Sequence, residues 1–190
     1  MAAPDIGACI SLGFAGWKKD PVTHIVVTLL IAIVGGASSG ILTGPMMVGY
    51  MRMIKKSDEG GKLEIGDVFK GFADFVPALV AVLVSSIIVT IGFIFCVLPG
   101  LLIMALIPVS AYLVAVGDKD GISALGRAWD AVKGNLLMSA LCTLVLYIIG
   151  SLGFILCGIG VILTMPIAMI GMYYMAQQMT DGGVLSITQS

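Results

Sequence analysis

Charge is scarce in this 190-residue chain. Only 11% of its residues are Asp, Glu, Lys or Arg, and there is a single histidine, His24. A soluble domain carries about 25% charged residues, so a cytosolic enzyme and a solvated disordered tail are both excluded. A basic excess is lacking too. Ten Lys and Arg stand against eleven Asp and Glu, which leaves no field to hold nucleic acid. The four cysteines, Cys9, Cys96, Cys142 and Cys157, form no CxxC pair. That speaks against a zinc knuckle or a thioredoxin-like site, and against a secreted disulfide scaffold. Neither a nucleophile–base pair nor a carboxylate dyad can be picked out, so the sequence points to no enzyme and calls for no cofactor.

What the chain does have is apolar residue, 59% of it, with a mean hydropathy of +1.11. Three apolar blocks, residues 22–51, 75–117 and 135–179, are separated by the charged segments. The second and third are about twice the ~20 residues that one spanning helix needs. Each block has a break near its middle: Gly35-Gly36-Ala37-Ser38-Ser39-Gly40, Cys96-Val97-Leu98-Pro99-Gly100 and Cys157-Gly158-Ile159-Gly160. Each therefore reads as a helical hairpin. All ten basic residues lie before the first block or between blocks, and none lies in a break. The positive-inside rule places both termini and both charged loops in the cytoplasm. The prediction is an all-α polytopic membrane protein with six transmembrane helices, residues 1–190 forming one membrane domain. Two features complicate the first block. Its arms are short, which suits a thinned bilayer or a re-entrant hairpin. Lys18-Lys19, the apolar run to Val34 and the small residues near Ala37 also resemble a cleavable signal peptide.

An internal repeat supports treating that segment as a helix. With a shift of 61 residues, Leu83, Val84, Ile87 and Ile88 meet Leu144, Val145, Ile148 and Ile149. In the same register Gly92-Phe93-Ile94 meets Gly153-Phe154-Ile155, and Asp120-Gly121 meets Asp181-Gly182. Doubling the shift pairs Met47, Gly49 and Met53 with Met169, Gly171 and Met175. The units are about 1–61, 62–121 and 122–183, in parallel rather than inverted orientation. Each begins with an amphipathic stretch expected to lie at the membrane surface, anchored by Phe14 and Trp17, by Phe69 and Phe72, and by Trp129. The plain reading makes these stretches topological collars. The sharper one makes them a docking surface for a cytoplasmic partner or anionic lipid, although neutral loops argue against a polybasic lipid switch.

Several residues invite a chemical role. His24 is the only ionisable candidate inside an apolar block; it is expected to reach the interface, the other reading being a proton relay or metal ligand. Met165, Met169, Met172, Met175 and Met179 share one helix face, with Met46, Met47, Met51 and Met53 in the first unit. Such thioethers pack adaptably, and could also pass Cu(I). Cys96 and Cys157 hold equivalent positions near the far-side tips, as free thiols or as a bridge. Gly92, Gly100, Gly150, Gly153, Gly158 and Gly160 are candidates for close helix packing or an oligomer interface. Pro45, Pro108 and Pro166 are expected to kink the return arms and could line a cavity.

The motifs Thr43-Gly44-Pro45…Gly49-Tyr50, Gly66-Asp67-Val68-Phe69-Lys70-Gly71-Phe72, Leu98-Pro99-Gly100 and Gly117-Asp118-Lys119-Asp120-Gly121, followed by Ala124, Ala128-Trp129 and Lys133-Gly134-Asn135, carry a resemblance. The chain resembles a broad bacterial set of six-helix membrane proteins with no assigned function. That set is related to the membrane domain attached to some glycerophosphodiester phosphodiesterases. The resemblance implies the six-helix fold and a bacterial inner-membrane location, and no activity. Function is thus expected to be non-enzymatic: a structural or assembly subunit, in a homo-oligomer or with other membrane proteins among membrane lipids. The alternative is a transporter or channel for a neutral or lipid-like small molecule.

Overall fold

The structure is a computed structural model that describes residues 3–95, 97–152 and 159–180. Those residues are all-helical, with no strand among them. The order is α1 (Ile6–Lys19), α2 (Pro21–Ala37), α3 (Thr43–Asp58), a 3-10 segment (Ile65–Asp74), α4 (Phe75–Phe95), α5 (Val97–Ile103), α6 (Leu106–Val116), α7 (Gly121–Lys133), α8 (Leu136–Leu152) and α9 (Ile159–Thr180). Two continuous runs are long and apolar enough to cross a membrane: Ile65–Phe95 and Val97–Val116. The number rises to four if α1 with α2, bent by 105°, and α7 with α8, bent by 103°, each count as one crossing.

Local signals explain the helix ends. Asp5 caps α1 by accepting the Ala8 N–H at 3.0 Å, and Lys18 and Lys19 occupy its last turn. Both suit the partial charges of the helix ends. Asp20 caps α2 through the Thr23 N–H at 3.1 Å, just ahead of Pro21, which is tolerated where no N–H is needed. Gly60 and Gly117, at φ 83° and 134°, close α3 and α6 in a conformation open to glycine.

The prolines work differently from expectation. Pro45 and Pro108 each stand third in their helices, α3 and α6, inside the first turn, so they start helices rather than kink them. Pro108 cannot offer an N–H to the Met104 carbonyl, and the two-residue turn that separates α5 from α6 within the continuous run lies there. Only Pro166 lies within a helix, α9.

The lead-in stretches also differ from one another. The second forms a 3-10 segment that runs unbent into α4 instead of a separate surface helix. The first, α1, packs lengthwise on α9: the Asp5 N–H donates to Gln178 Oε1 at 2.8 Å, and a Cβ on Gly13 would sit 2.8 Å from the Ile167 carbonyl. Its buried face is the small one, Cys9, Gly13 and Gly16. α7 turns its alanines inward and leaves Ile122 and Trp129 exposed.

α4 folds back on α5 and α6. Gly92 meets Gly100 at the turn, and the Ser85 and Ser110 hydroxyls lie 2.9 Å apart lower down. α8 and α9 pair in the same way, through Gly150 against Ala168 and Leu146 against Gly171. α3 runs antiparallel along the 3-10 segment and the first half of α4, from Gly44 beside Ala78 to Lys56 beside Asp67. The turn between α2 and α3 reaches only the level of Leu83 and Ser86. α4 continues from Ser86 to Phe95, about 14 Å farther at 1.5 Å per residue. The first hairpin is the short one, as its sequence length suggests.

Candidate functional site

The short hairpin leaves a groove. Its walls are α2 and α3 on one side, α8 and α9 on the other, and it encloses about 480 Å³. α2 contributes Thr28, Leu29, Ile31, Ala32, Gly35 and Gly36; Thr43 and Met47 come from α3. Tyr147, Gly150 and Ser151 of α8 face Ile162, Met165, Ala168, Met169 and Met172 of α9. The space exists because glycine and alanine stand where larger side chains would fill it. A Cβ built on Gly36 would touch nothing within 4 Å. At Gly35, by contrast, it would come within 2.6 Å of Thr43 Oγ1, so that glycine lets α2 and α3 close together at their tip.

Among the described residues, no Asp, Glu, Lys, Arg or His lines the groove. Its polar groups are hydroxyls, most of them engaged. Thr28 Oγ1 donates to the His24 carbonyl at 2.8 Å, and Ser151 Oγ to the Tyr147 carbonyl at 2.7 Å. Small-molecule sites are commonly apolar cavities of ~300–1,000 Å³ with a few fixed polar groups, and this one fits that description.

His24 does not reach the interface. It is 2% exposed, and its Nδ1 lies 2.9 Å from the Tyr50 hydroxyl, the rings meeting edge to face. The pair joins α2 to α3 directly behind Thr28, and each polar atom of the contact has a partner there. The methionine stripe divides. Met165, Met169 and Met172 line the groove with Met47, whereas Met175 and Met179 are fully buried in the core. Met175 Sδ accepts from Thr143 at 3.3 Å. No cluster of three or more His, Cys, Asp or Glu occurs among the described residues.

The glycine candidates serve contacts within the chain. A Cβ on Gly92 would lie 3.0 Å from Gly100 Cα, one on Gly100 would overlap the Phe93 ring, and one on Gly150 would come 3.2 Å from Ala168 Cβ. Gly160 is buried, and its carbonyl accepts from Thr164 at 3.1 Å. Gly153, Gly158, Cys96 and Cys157 lie outside the described residues. Cys9 and Cys142 are buried free thiols. Phe14, Phe69 and Trp129 are exposed as anchors should be, while Trp17 and Phe72 are half-buried against the core. Pro45, Pro108 and Pro166 are all buried, and none lines the groove.

Among other residues that matter to the architecture, the sequence offered Gly49, Asp67 and Gly71 only as parts of motifs and did not single out Arg52. A Cβ on Gly49 would overlap the Val68 carbonyl, and one on Gly71 the Pro45 carbonyl. Arg52 donates through Nε to the Ala115 carbonyl at 3.1 Å, through Nη2 to Val114 at 3.2 Å and to Asp74, and through Nη1 to Lys70 at 3.3 Å. One guanidinium thus caps α6 and ties it to α3 and to the end of the 3-10 segment. Asp67, with its side chain 4% exposed, lies 2.7 Å from Lys56 and 2.6 Å from Lys70. Burial pulls its carboxyl upward, but the two ammonium groups outweigh this and hold it below the usual carboxylate range. The hint available beforehand was placement: Arg52 and Asp67 sit where apolar sequence meets charged sequence.

Fold and site together define, over the described residues, an all-helical protein with helices long and apolar enough to cross a membrane and a groove lined by uncharged residues. The chain belongs to the family described as a domain of unknown function, DUF7847, which matches residues 13–189. No curated protein and no solved structure matches it.

Proposed function

We propose that this chain is a non-enzymatic, multi-pass membrane protein that receives a neutral, lipid-like molecule in the groove between its first and last hairpins. The observation that carries the reading is the groove: about 480 Å³, uncharged, and walled by helices that also face outward with apolar side chains such as Ile33 and Ile148. A molecule entering there leaves acyl chains for methionine, leucine and glycine, with no headgroup charge to accommodate. In this reading α2, α3, α4, α5 with α6, α8 and α9 form six arms of three parallel hairpins, with both termini in the cytoplasm of a bacterial cell. The charge pattern of the loops supports that orientation.

A second reading, an assembly subunit of a homo-oligomer or larger complex, draws on one other feature. Ile122, Leu125, Gly126 and Trp129 of α7, with Ile88 and Leu106, border an open apolar recess of about 410 Å³. Native mass spectrometry of protein gently extracted from its own membrane separates the two. The groove reading expects a monomer that retains one defined neutral molecule. A discrete assembly with an empty groove would overturn it in favour of the second.

A further inference from the structure

The groove's hydroxyls are biased toward accepting hydrogen bonds. Thr28 and Ser151 have each committed their one proton to a backbone carbonyl, at 2.8 and 2.7 Å. Each oxygen keeps acceptor capacity at the wall it lines, that of Thr28 shared with the neighbouring Tyr50 hydroxyl. Thr43 and Tyr147 can either give or take. All four hydroxyls can therefore accept, only two have a proton to offer, and no side-chain N–H lines the space. Beside Thr28 the His24–Tyr50 pair, 2.9 Å apart, ties α2 to α3, while the Thr28 hydroxyl is bonded to the main-chain carbonyl one turn back in its own helix. Apart from Thr28, Thr43, Tyr147 and Ser151, the lining is aliphatic, thioether or glycine.

We infer that the groove selects an uncharged amphiphile whose head donates a hydrogen bond, a long-chain alcohol in its simplest form. The head is set against Thr28 or Ser151 and the tail lies along the methionines of α9. A head that only accepts, such as an ether or ester, would find a proton only at Thr43 or Tyr147 and would leave the lone pairs of Thr28 and Ser151 unused. A carboxylate would add a charge with no partner, which is costlier still. The inference rests on the groove reading above and narrows it to a chemical class.

The test is native mass spectrometry of the full chain in detergent, exposed to an equimolar mixture of 1-hexadecanol and its methyl ether. The two share a tail and differ by one donor. Wild type is expected to retain the alcohol about three- to tenfold over the ether, the discrimination of a single neutral hydrogen bond. Thr28→Val combined with Ser151→Ala should bring the ratio near one while ligand is still held. Gly36→Leu places a bulky side chain at a groove-lining position where a Cβ meets nothing, and replaces glycine by a good helix former. It should abolish both adducts in a folded protein, with circular dichroism as the check. Equal retention of alcohol and ether, lost in Gly36→Leu, would overturn the donor-head inference and leave the groove reading standing. So would a preference that survives the double substitution. Adducts that persist in Gly36→Leu, or no adduct in wild type, would overturn both.

Discussion

At the scale of the residue, the decisive groups are the smallest ones. Gly71 sits where α3 crosses the 3-10 segment, and any side chain there meets the Pro45 carbonyl and Gly49 backbone rather than a movable neighbour. Gly71→Ala is expected to destabilise the protein by about 3 kcal/mol, the upper end for forcing a methyl group into a packed site. Gly36→Ala should be neutral or stabilising, since its Cβ enters open space in a helix. Thermal unfolding in detergent compares them; equal melting temperatures would refute the packing assignment. The sequence signalled that glycines would matter, because small residues let helices approach in lipid. It could not rank them. Gly92 and Gly150 stand near the breaks of the apolar blocks, whereas the tightest approach, at Gly49 and Gly71, joins two segments that composition alone does not bring together.

The elements were legible where hydrophobicity sets them and less so where tertiary contacts do. The breaks at residues 35–40 and near 96–100 lie where the chain turns, and the shortness of the first hairpin was visible as block length. The lead-in stretches share an amphipathic pattern, yet one became a 3-10 segment fused to α4 and another a partner for α9. Periodicity gives each a face and says nothing about what will cover it. The 3-10 segment is held to α3 by Asp67 between Lys56 and Lys70, in the charged region that precedes the α4 crossing. Asp67→Asn should cost about 1–3 kcal/mol near neutral pH. Because the carboxyl is held below its ordinary value in the folded protein, its contribution is full above about pH 4, the usual carboxylate range. It is lost as pH falls through the depressed folded value. Wild type and variant should therefore converge in strong acid and stay apart from pH 5 to 9. A gap that does not change down to pH 2 would contradict the clamp.

For the whole molecule, composition and charge placement carried most of what could be read: an all-helical architecture, helices apolar enough to cross a membrane, and apolar blocks free of Asp, Glu, Lys and Arg. The groove was not legible, because it depends on one hairpin stopping short beside longer ones and on which faces of α2 and α9 then meet. The proposed crossing pattern has a direct check. Single cysteines introduced at Gly60 and Lys119, in a background with the native cysteines replaced by alanine, should react with an impermeant maleimide only in inverted vesicles. One at Ser39 should react only in right-side-out vesicles, or in neither if the tip stays submerged. Labelling of all three from one side would rule out the three-hairpin orientation.

The short first hairpin also shapes the body as a whole. Near the charged loops the cross-section holds three hairpins together with α1 and α7; beyond the level of Ser86, α2 and α3 are missing from it. Crossing as proposed, the protein is a taper that displaces more lipid from the cytoplasmic leaflet than from the opposite one. The area between those unequal ends must be filled by lipid tails, so the bilayer itself completes the outline of the molecule at its narrow end.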